Sequence, residues 1–117
     1  MKIAVTSTGN DMTSPVDPRF GRARVFMVVD TETLEATAHD NTPNLHAAQG
    51  AGIQAGETVA RLGATAVITG NVGPKAFRML KAAGIKVHLA GSGTVAEALR
   101  RFKAGELPEV SAANVEG

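Results

Sequence analysis

Anion binding is the first chemistry that the residue types suggest. Two glycine-rich turns, Gly70-Asn71-Val72-Gly73-Pro74 and Gly91-Ser92-Gly93-Thr94, each close an apolar run and open a segment with helical spacing. A helix N-terminus presents backbone N–H groups without intrahelical acceptors and the positive end of the helix dipole, so it favours an anion. Glycine also lets a large ligand approach the backbone closely. A third segment, the loop from Gly9 to Arg22, ends in Arg19-Phe20-Gly21-Arg22, with Arg24 just beyond. From Lys75 to Lys103 the chain holds Lys75, Arg78, Lys81, Lys86, Arg100, Arg101 and Lys103 against one acid, Glu97. The candidate binding residues are therefore Arg19, Phe20, Gly21, Arg22, Gly70, Asn71, Val72, Gly73, Ser92, Gly93 and Thr94. Phe20 also reads as a core or loop-anchoring residue, and Lys75, Arg78 and Lys81 as the solvated side of a helix. Neither turn carries a phosphate signature: the first lacks the Walker spacing, the second the third glycine of the dinucleotide fingerprint.

Metal and acid–base chemistry have less support. His39, His46 and His88 show no helix-facing metal spacing. His46, just ahead of a glycine-rich helical stretch, is the best placed of them as a ligand, and Met12 in the first loop could offer a soft thioether sulfur. Both also read as ordinary structural residues. Asp11 and Asp17 could pair as general acid and base, although Asp17 before Pro18 is equally a turn former. The chain has no cysteine, which excludes disulfides, thiolate zinc sites and thiolate-held iron–sulfur clusters. No Ser-His-Asp or nucleophile-elbow pattern occurs, so the expectation is a binding protein rather than an enzyme.

Such residues need a scaffold, and the hydropathy pattern supplies one. Lys2 to Thr8 reads as a strand, Arg24 to Asp30 as a second, and Glu35 to Asn41 as a third that forms a hairpin with the second. Ala47 to Leu62 has helical spacing and stops at Gly63; its Gly50, Gly52 and Gly56 predict close packing against a sheet. Ala64 to Thr69 is a buried-type strand, Pro74 opens a helix that ends near Gly84, and Ile85 to Ala90 is the last strand. Thr94 and Glu97 form a capping box for a final helix with Val95, Ala98, Leu99 and Phe102 as its apolar stripe. Residues 108–117 are expected to form a flexible, fraying tail on this single domain. Helices between the later strands imply parallel crossovers, and the hairpin adds a strand antiparallel to the first. The expected fold is α/β, a mixed five-stranded sheet with helices on its faces, in the element order of the ribonuclease-H-like arrangement. Nucleases of that arrangement need an acid in the first strand, and Lys2-Ile3-Ala4-Val5-Thr6-Ser7 has none. Ligands of open α/β sheets sit outside the carboxyl ends of the strands, where the loop, Gly70–Pro74 and Gly91–Thr94 are expected to converge.

Composition narrows the partners. The 117 residues carry a formal net charge of +1, with no Trp, no Tyr and four Phe. That gives neither the field of a general nucleic-acid binder nor stacking platforms for single strands. No stretch approaches the roughly 20 apolar residues of a membrane helix, and a cytoplasmic protein is expected.

The run DPRFGRARVF from Asp17 to Phe26, together with GAGIQAGETVARLGATAVITGNVGPKAFRMLKAAGIKV from Gly50 to Val87 and TVAEALRRFKAGEL from Thr94 to Leu107, resembles the dinitrogenase iron–molybdenum cofactor biosynthesis family. Within it the chain is most similar to small stand-alone members that carry a molybdenum–copper sulfide cluster without covalent attachment; others carry iron–molybdenum–sulfur cofactor precursors. The resemblance implies a ribonuclease-H-like fold and carriage or storage of an anionic metal–sulfide cluster. It implies cluster-assembly proteins and ATPases as partners, and it places Arg19, Phe20, Gly21, Arg22, Gly70, Asn71, Gly73 and Pro74 at matched positions. A different class, an enzyme or sensor for a small phosphorylated metabolite in the same cleft, stands as the alternative, and a protein-interaction adaptor as a third.

Overall fold

The computed structural model describes residues 1–45 and 50–116. Its strands are β1 (Lys2–Ser7), β2 (Val25–Asp30), β3 (Ala36–Asp40), β4 (Ala64–Thr69) and β5 (Lys86–Leu89). Its helices are α1 (Thr42–Leu45), α2 (Ala51–Arg61), α3 (Pro74–Ala82) and α4 (Val95–Lys103). The strands form one mixed α/β sheet in the order β3-β2-β1-β4-β5. β1 is antiparallel to β2 and parallel to β4, β2 and β3 form the expected hairpin, and β4 and β5 run parallel. The one-turn helix α1 was not expected. The expected helix start at Ala47 lies outside the described residues.

Alternation along the central strands divides the core. Ala4, Phe26, Val28, Val67 and Val87 face α2 and α3, meeting Ala55, Val59, Ala76 and Leu80. Ile3, Val5, Met27, Val29, Ala66 and Ile68 face the other way, against Val95, Ala98 and Leu99 of α4. β1 and β4, covered on both sides, are accordingly apolar at nearly every position, the pattern of a doubly covered sheet.

The glycines of α2 pack against a helix rather than the sheet. A Cβ on Gly52 would lie 2.9 Å from the Ala76 Cβ, and one on Gly56 would lie 2.9 Å from the Met79 Cγ. Both contacts are with α3, so these two positions set how closely the two helices approach.

Within the described part of the tail expected to fray from residue 108, three residues pair with the body. Glu109 bridges to His88, the Val110 N–H donates to the Val87 carbonyl at 2.9 Å, and the Asn114 N–H donates to the Val72 carbonyl at 3.1 Å. These bonds run between backbone groups that side-chain patterning does not reveal. No helix among the described residues is long and apolar enough to cross a membrane.

Candidate functional site

The loop between β1 and β2 divides in two. Its first half turns toward α4: Val16 N–H donates to the Gly93 carbonyl at 2.9 Å, Val95 N–H to Ser14 at 2.9 Å and Ala96 N–H to Met12 at 2.8 Å. Glu97 N–H meets the Thr94 hydroxyl at 3.1 Å, and the Glu97 carboxylate accepts from the Thr94 N–H at 3.1 Å, completing the expected capping box. The first-turn amides of α4 are thus all used within the protein.

The second half of the loop crosses to the α2–α3 side. Asp17 is buried; its backbone N–H donates to the Thr6 carbonyl at 2.9 Å, and its own carbonyl accepts the Thr6 hydroxyl at 2.7 Å. Its carboxylate accepts the Arg19 N–H at 2.9 Å and lies 3.4 Å from the Arg19 Nε. Phe20 turns inward onto Phe26, ring centroids 5.7 Å apart, and anchors the stretch from below. Asn71 holds it from the side, donating to the Pro18 carbonyl at 2.9 Å and accepting the Phe20 N–H on its own carbonyl at 3.2 Å. Asn41 donates to the Ala23 carbonyl at 2.7 Å. Gly70 is required by this packing, since a Cβ there would lie 2.7 Å from the Pro18 Cα.

Between this loop and the starts of α2 and α3 lies a cavity of about 460 Å³. Arg19, Gly21 and Arg22 line it from the loop, Gly50–Ile53 from α2, Asn71 and Gly73–Ala76 from α3 and the turn before it, and Val115 from the far end of the chain. Both helices therefore point their N-termini into one space. Gly52 and Ile53 of α2 and Lys75 and Ala76 of α3 have no intrahelical acceptor for their N–H groups. Among the described residues none of these four amides has another protein acceptor. Among the described residues, Arg19, Arg22 and Lys75 are the charged side chains of the lining, and no carboxylate belongs to it. With two dipole ends and three cations, the cavity is suited to a polyanion held by N–H donors and charge.

Of the sequence-based candidates, Arg19, Phe20, Gly21, Arg22, Asn71 and Gly73 come together here. Gly70 and Val72 support them from behind, Val72 being buried. Ser92, Gly93 and Thr94 do not join them: they lead into α4 on the opposite face, where Gly93 and Thr94 are engaged by Val16 and Pro15. Met12 packs against the α4 side of the core. His46 lies outside the described residues. His88 stacks edge-on against Phe102 with centroids 4.9 Å apart, and His39 lines a separate hollow with Lys2, Asp30 and Glu35. Asp11 and Asp17 belong to the two different halves of the loop, Asp11 in the turn it closes with Ser14. Among the described residues no three His, Cys, Asp or Glu side chains are grouped to hold a metal ion. Sequence reasoning missed the start of α2, because Gly50–Ile53 read as helix interior, and it missed Val115. The signal for the former was Gly50 itself: it adopts φ 76°, left-handed backbone at the N-cap.

The profile of the family described as dinitrogenase iron-molybdenum cofactor matches residues 1–105. The apo form of the orange protein from Desulfovibrio gigas is 45% identical with a TM-score of 0.95, covering 97% of this chain and 96% of that one. A Thermotoga protein with a provisional NifB assignment is 38% identical with a TM-score of 0.86, over 99% of this chain and 98% of its own. An uncharacterised protein of Methanocaldococcus jannaschii is 32% identical over 109 residues, 92% of this chain and 89% of its own length. On the match over residues 1–105 and the likeness of these relatives, the chain belongs to the dinitrogenase iron–molybdenum cofactor family.

Proposed function

We propose that the protein binds and carries or stores an anionic metal–sulfide cluster noncovalently, in the cavity between α2, α3 and the Arg19–Arg22 loop. The observation that carries this reading is the meeting of two helix N-termini and three cationic side chains in one space whose described lining residues include no carboxylate. The sulfides of the cluster accept hydrogen bonds from the amides of Gly52, Ile53, Lys75 and Ala76, and Arg19, Arg22 and Lys75 balance its charge. Asp17 holds Arg19 by its backbone N–H and its Nε, which presets the direction of the guanidinium. The metals are then ligated by the cluster's own sulfides, consistent with a chain that has no cysteine.

Family membership supports a cluster as cargo, and the resemblance to the small stand-alone members of the family favours a molybdenum–copper sulfide over an iron–molybdenum–sulfur precursor. The strand order supports the ribonuclease-H-like assignment without its nuclease chemistry. In this reading the protein works in the cytoplasm with cluster-assembly proteins and ATPases, and catalyses nothing itself.

The test is a titration of apo protein with tetrathiomolybdate and copper(I), followed by visible absorption and gel filtration. A stoichiometric coloured complex is expected to co-elute with the protein. Arg19→Ala and Arg22→Ala are each expected to weaken it about tenfold or more, the range for a hydrogen bond to a charged group. A complex that forms equally well without both arginines refutes the site. Selective binding of a nucleotide or sugar phosphate with no thiometallate binding refutes the cargo and returns the phosphorylated-metabolite alternative.

A further inference from the structure

Segment 110–116 plays a part in the cavity that its sequence did not announce. After the Val110 N–H bonds the Val87 carbonyl at 2.9 Å, the chain passes to Asn114, which clamps the turn between β4 and α3. The Asn114 N–H donates to the Val72 carbonyl at 3.1 Å, and its side-chain Oδ1 accepts the Val72 N–H at 2.7 Å, closing a ring on one residue. Its Nδ2 donates to the Gly70 carbonyl at 3.4 Å and to the Asn71 Oδ1 at 3.0 Å. The acceptor and both donor positions of this amide are used.

That pattern fits asparagine and few alternatives. Aspartate keeps the acceptor for Val72 and loses both donors, and alanine loses all three. Val72 is 1% exposed, so its N–H without Asn114 is an unsatisfied donor in a mostly buried place, a costly state.

The clamp also reaches the loop. Because Asn114 donates to the Asn71 oxygen, the Asn71 amide nitrogen is directed to the Pro18 carbonyl, 2.9 Å away. One chain of amides therefore ties segment 110–116, the turn that opens α3 and the strand of loop bearing Arg19. The residue after Asn114 is Val115, which lines the cavity although 42% exposed. Ile53, 37% exposed, lines the same space from α2. Exposed aliphatic side chains beside a cationic pocket suit a large, weakly hydrated sulfide anion better than a strongly hydrated phosphate.

We propose that Asn114 is a positioning residue that locks the β4–α3 turn and seats Val115 as a wall of the cavity, and that this wall governs how fast a bound metal–sulfide anion leaves. The proposal rests on the cargo reading given above. It is tested on the full chain with two readouts: amide hydrogen exchange of Val72 in the apo protein, and release of the tetrathiomolybdate–copper(I) complex into excess competing thiol.

Asn114→Ala is expected to speed Val72 exchange and cargo release on the order of tenfold each, as the loss of a buried donor's partner implies. Asn114→Asp is expected to keep Val72 protected while still speeding release, and it serves if the alanine variant folds poorly. Val115→Ala is expected to leave Val72 exchange unchanged and to speed release, which separates wall from clamp. Glu116→Ala is expected to alter neither. Unchanged Val72 exchange in Asn114→Ala overturns the clamp, and unchanged release in both Asn114→Ala and Val115→Ala overturns the wall. If the unsubstituted protein takes up no thiometallate, the cargo reading fails and the wall with it, while Val72 exchange still decides the clamp.

Discussion

Replacing Gly52 with alanine sets two physical effects against each other with opposite signs. Helix propensity alone favours the change by up to about 1 kcal/mol. Packing opposes it, because the new Cβ would lie 2.9 Å from the Ala76 Cβ, with the Ala76 Cα at 3.7 Å and N at 3.8 Å. Carbon atoms rest at about 3.5–4.0 Å, so the helices must separate by roughly 0.6–1 Å at this point. Neither β-carbon has a rotamer with which to yield, so the movement falls on the backbone. The backbone is hemmed in on another side, where a Cβ on Gly21 would lie 2.8 Å from the Gly52 N. Overpacking of this kind costs about 1–3 kcal/mol and outweighs the propensity gain. Net of the propensity gain, Gly52→Ala is therefore expected to lower the stability of the apo protein in urea by up to about 2 kcal/mol, a Tm drop of up to roughly 8 °C at about 4 °C per kcal/mol for a domain of this size. Gly56→Ala is the internal comparison. Its Cβ meets the Met79 Cγ at 2.9 Å, a flexible side chain that can change rotamer for about 0.5–1.5 kcal/mol, so the net change is expected to be small. If Gly52→Ala is as stable as the parent or more so, the reasoning that backbone contact between α2 and α3 sets the cavity is wrong.

Three further outcomes follow from particular contacts. Thr6→Val removes a buried hydroxyl that donates to the Asp17 carbonyl at 2.7 Å and lies 2.9 Å from the Thr69 hydroxyl; a loss of about 1–3 kcal/mol is expected in urea denaturation, and an unchanged midpoint would contradict it. Thr94→Ala removes the N-cap of α4 and is expected to cost about 1 kcal/mol by the same assay, without loss of cargo binding, since Thr94 is not part of the cavity. Acid should destabilise the fold through Asp30, Asp40 and Glu97, whose carboxylates are held below their ordinary values of 3.8, 3.8 and 4.5 chiefly by backbone N–H donors of Glu32, Thr42 and Thr94 respectively. A depressed folded-state value means that this stabilisation is complete above the ordinary carboxylate range and is lost as pH falls through the lower folded values. Thermal melts across that window check it, and flat stability there would refute it.

Much of the fold was legible because its central elements obey local rules. β4 was expected at Ala64–Thr69 and is found there, and α3 begins at Pro74 as proline at a first helical position predicts. The capping box was readable from two residues three apart. The hairpin was readable from apolar runs joined by a short turn, and the parallel crossovers from helices lying between strands. What local rules left open was the partner of the α2 glycines: small residues announce a close approach, but helix and sheet surfaces satisfy the same pattern, and here α3 supplied it.

The candidate site divides along the same line. Arg19, Arg22 and the Gly70–Pro74 turn were identifiable because cations in a loop and glycine before a helix are local features with a chemical meaning. Gly91–Thr94 carried the same local features and yet turned out to be occupied, since Ser14 and Met12 lend their carbonyls to the Val95 and Ala96 amides. Whether a helix N-terminus is open to a ligand depends on what the rest of the chain brings to it, and nothing in those four residues records that the loop returns there. The converse holds for Asn114, which bonds the turn behind the cavity, and Val115, which lines it: neither belongs to a motif, and both are placed there only because segment 110–116 pairs with β5 and then with Val72. A search for anion sites in this fold is therefore better directed at helix-start amides that have no protein acceptor among the described residues, here those of Gly52 and Ile53 in α2 and of Lys75 and Ala76 in α3, than at the richness of a turn in glycine.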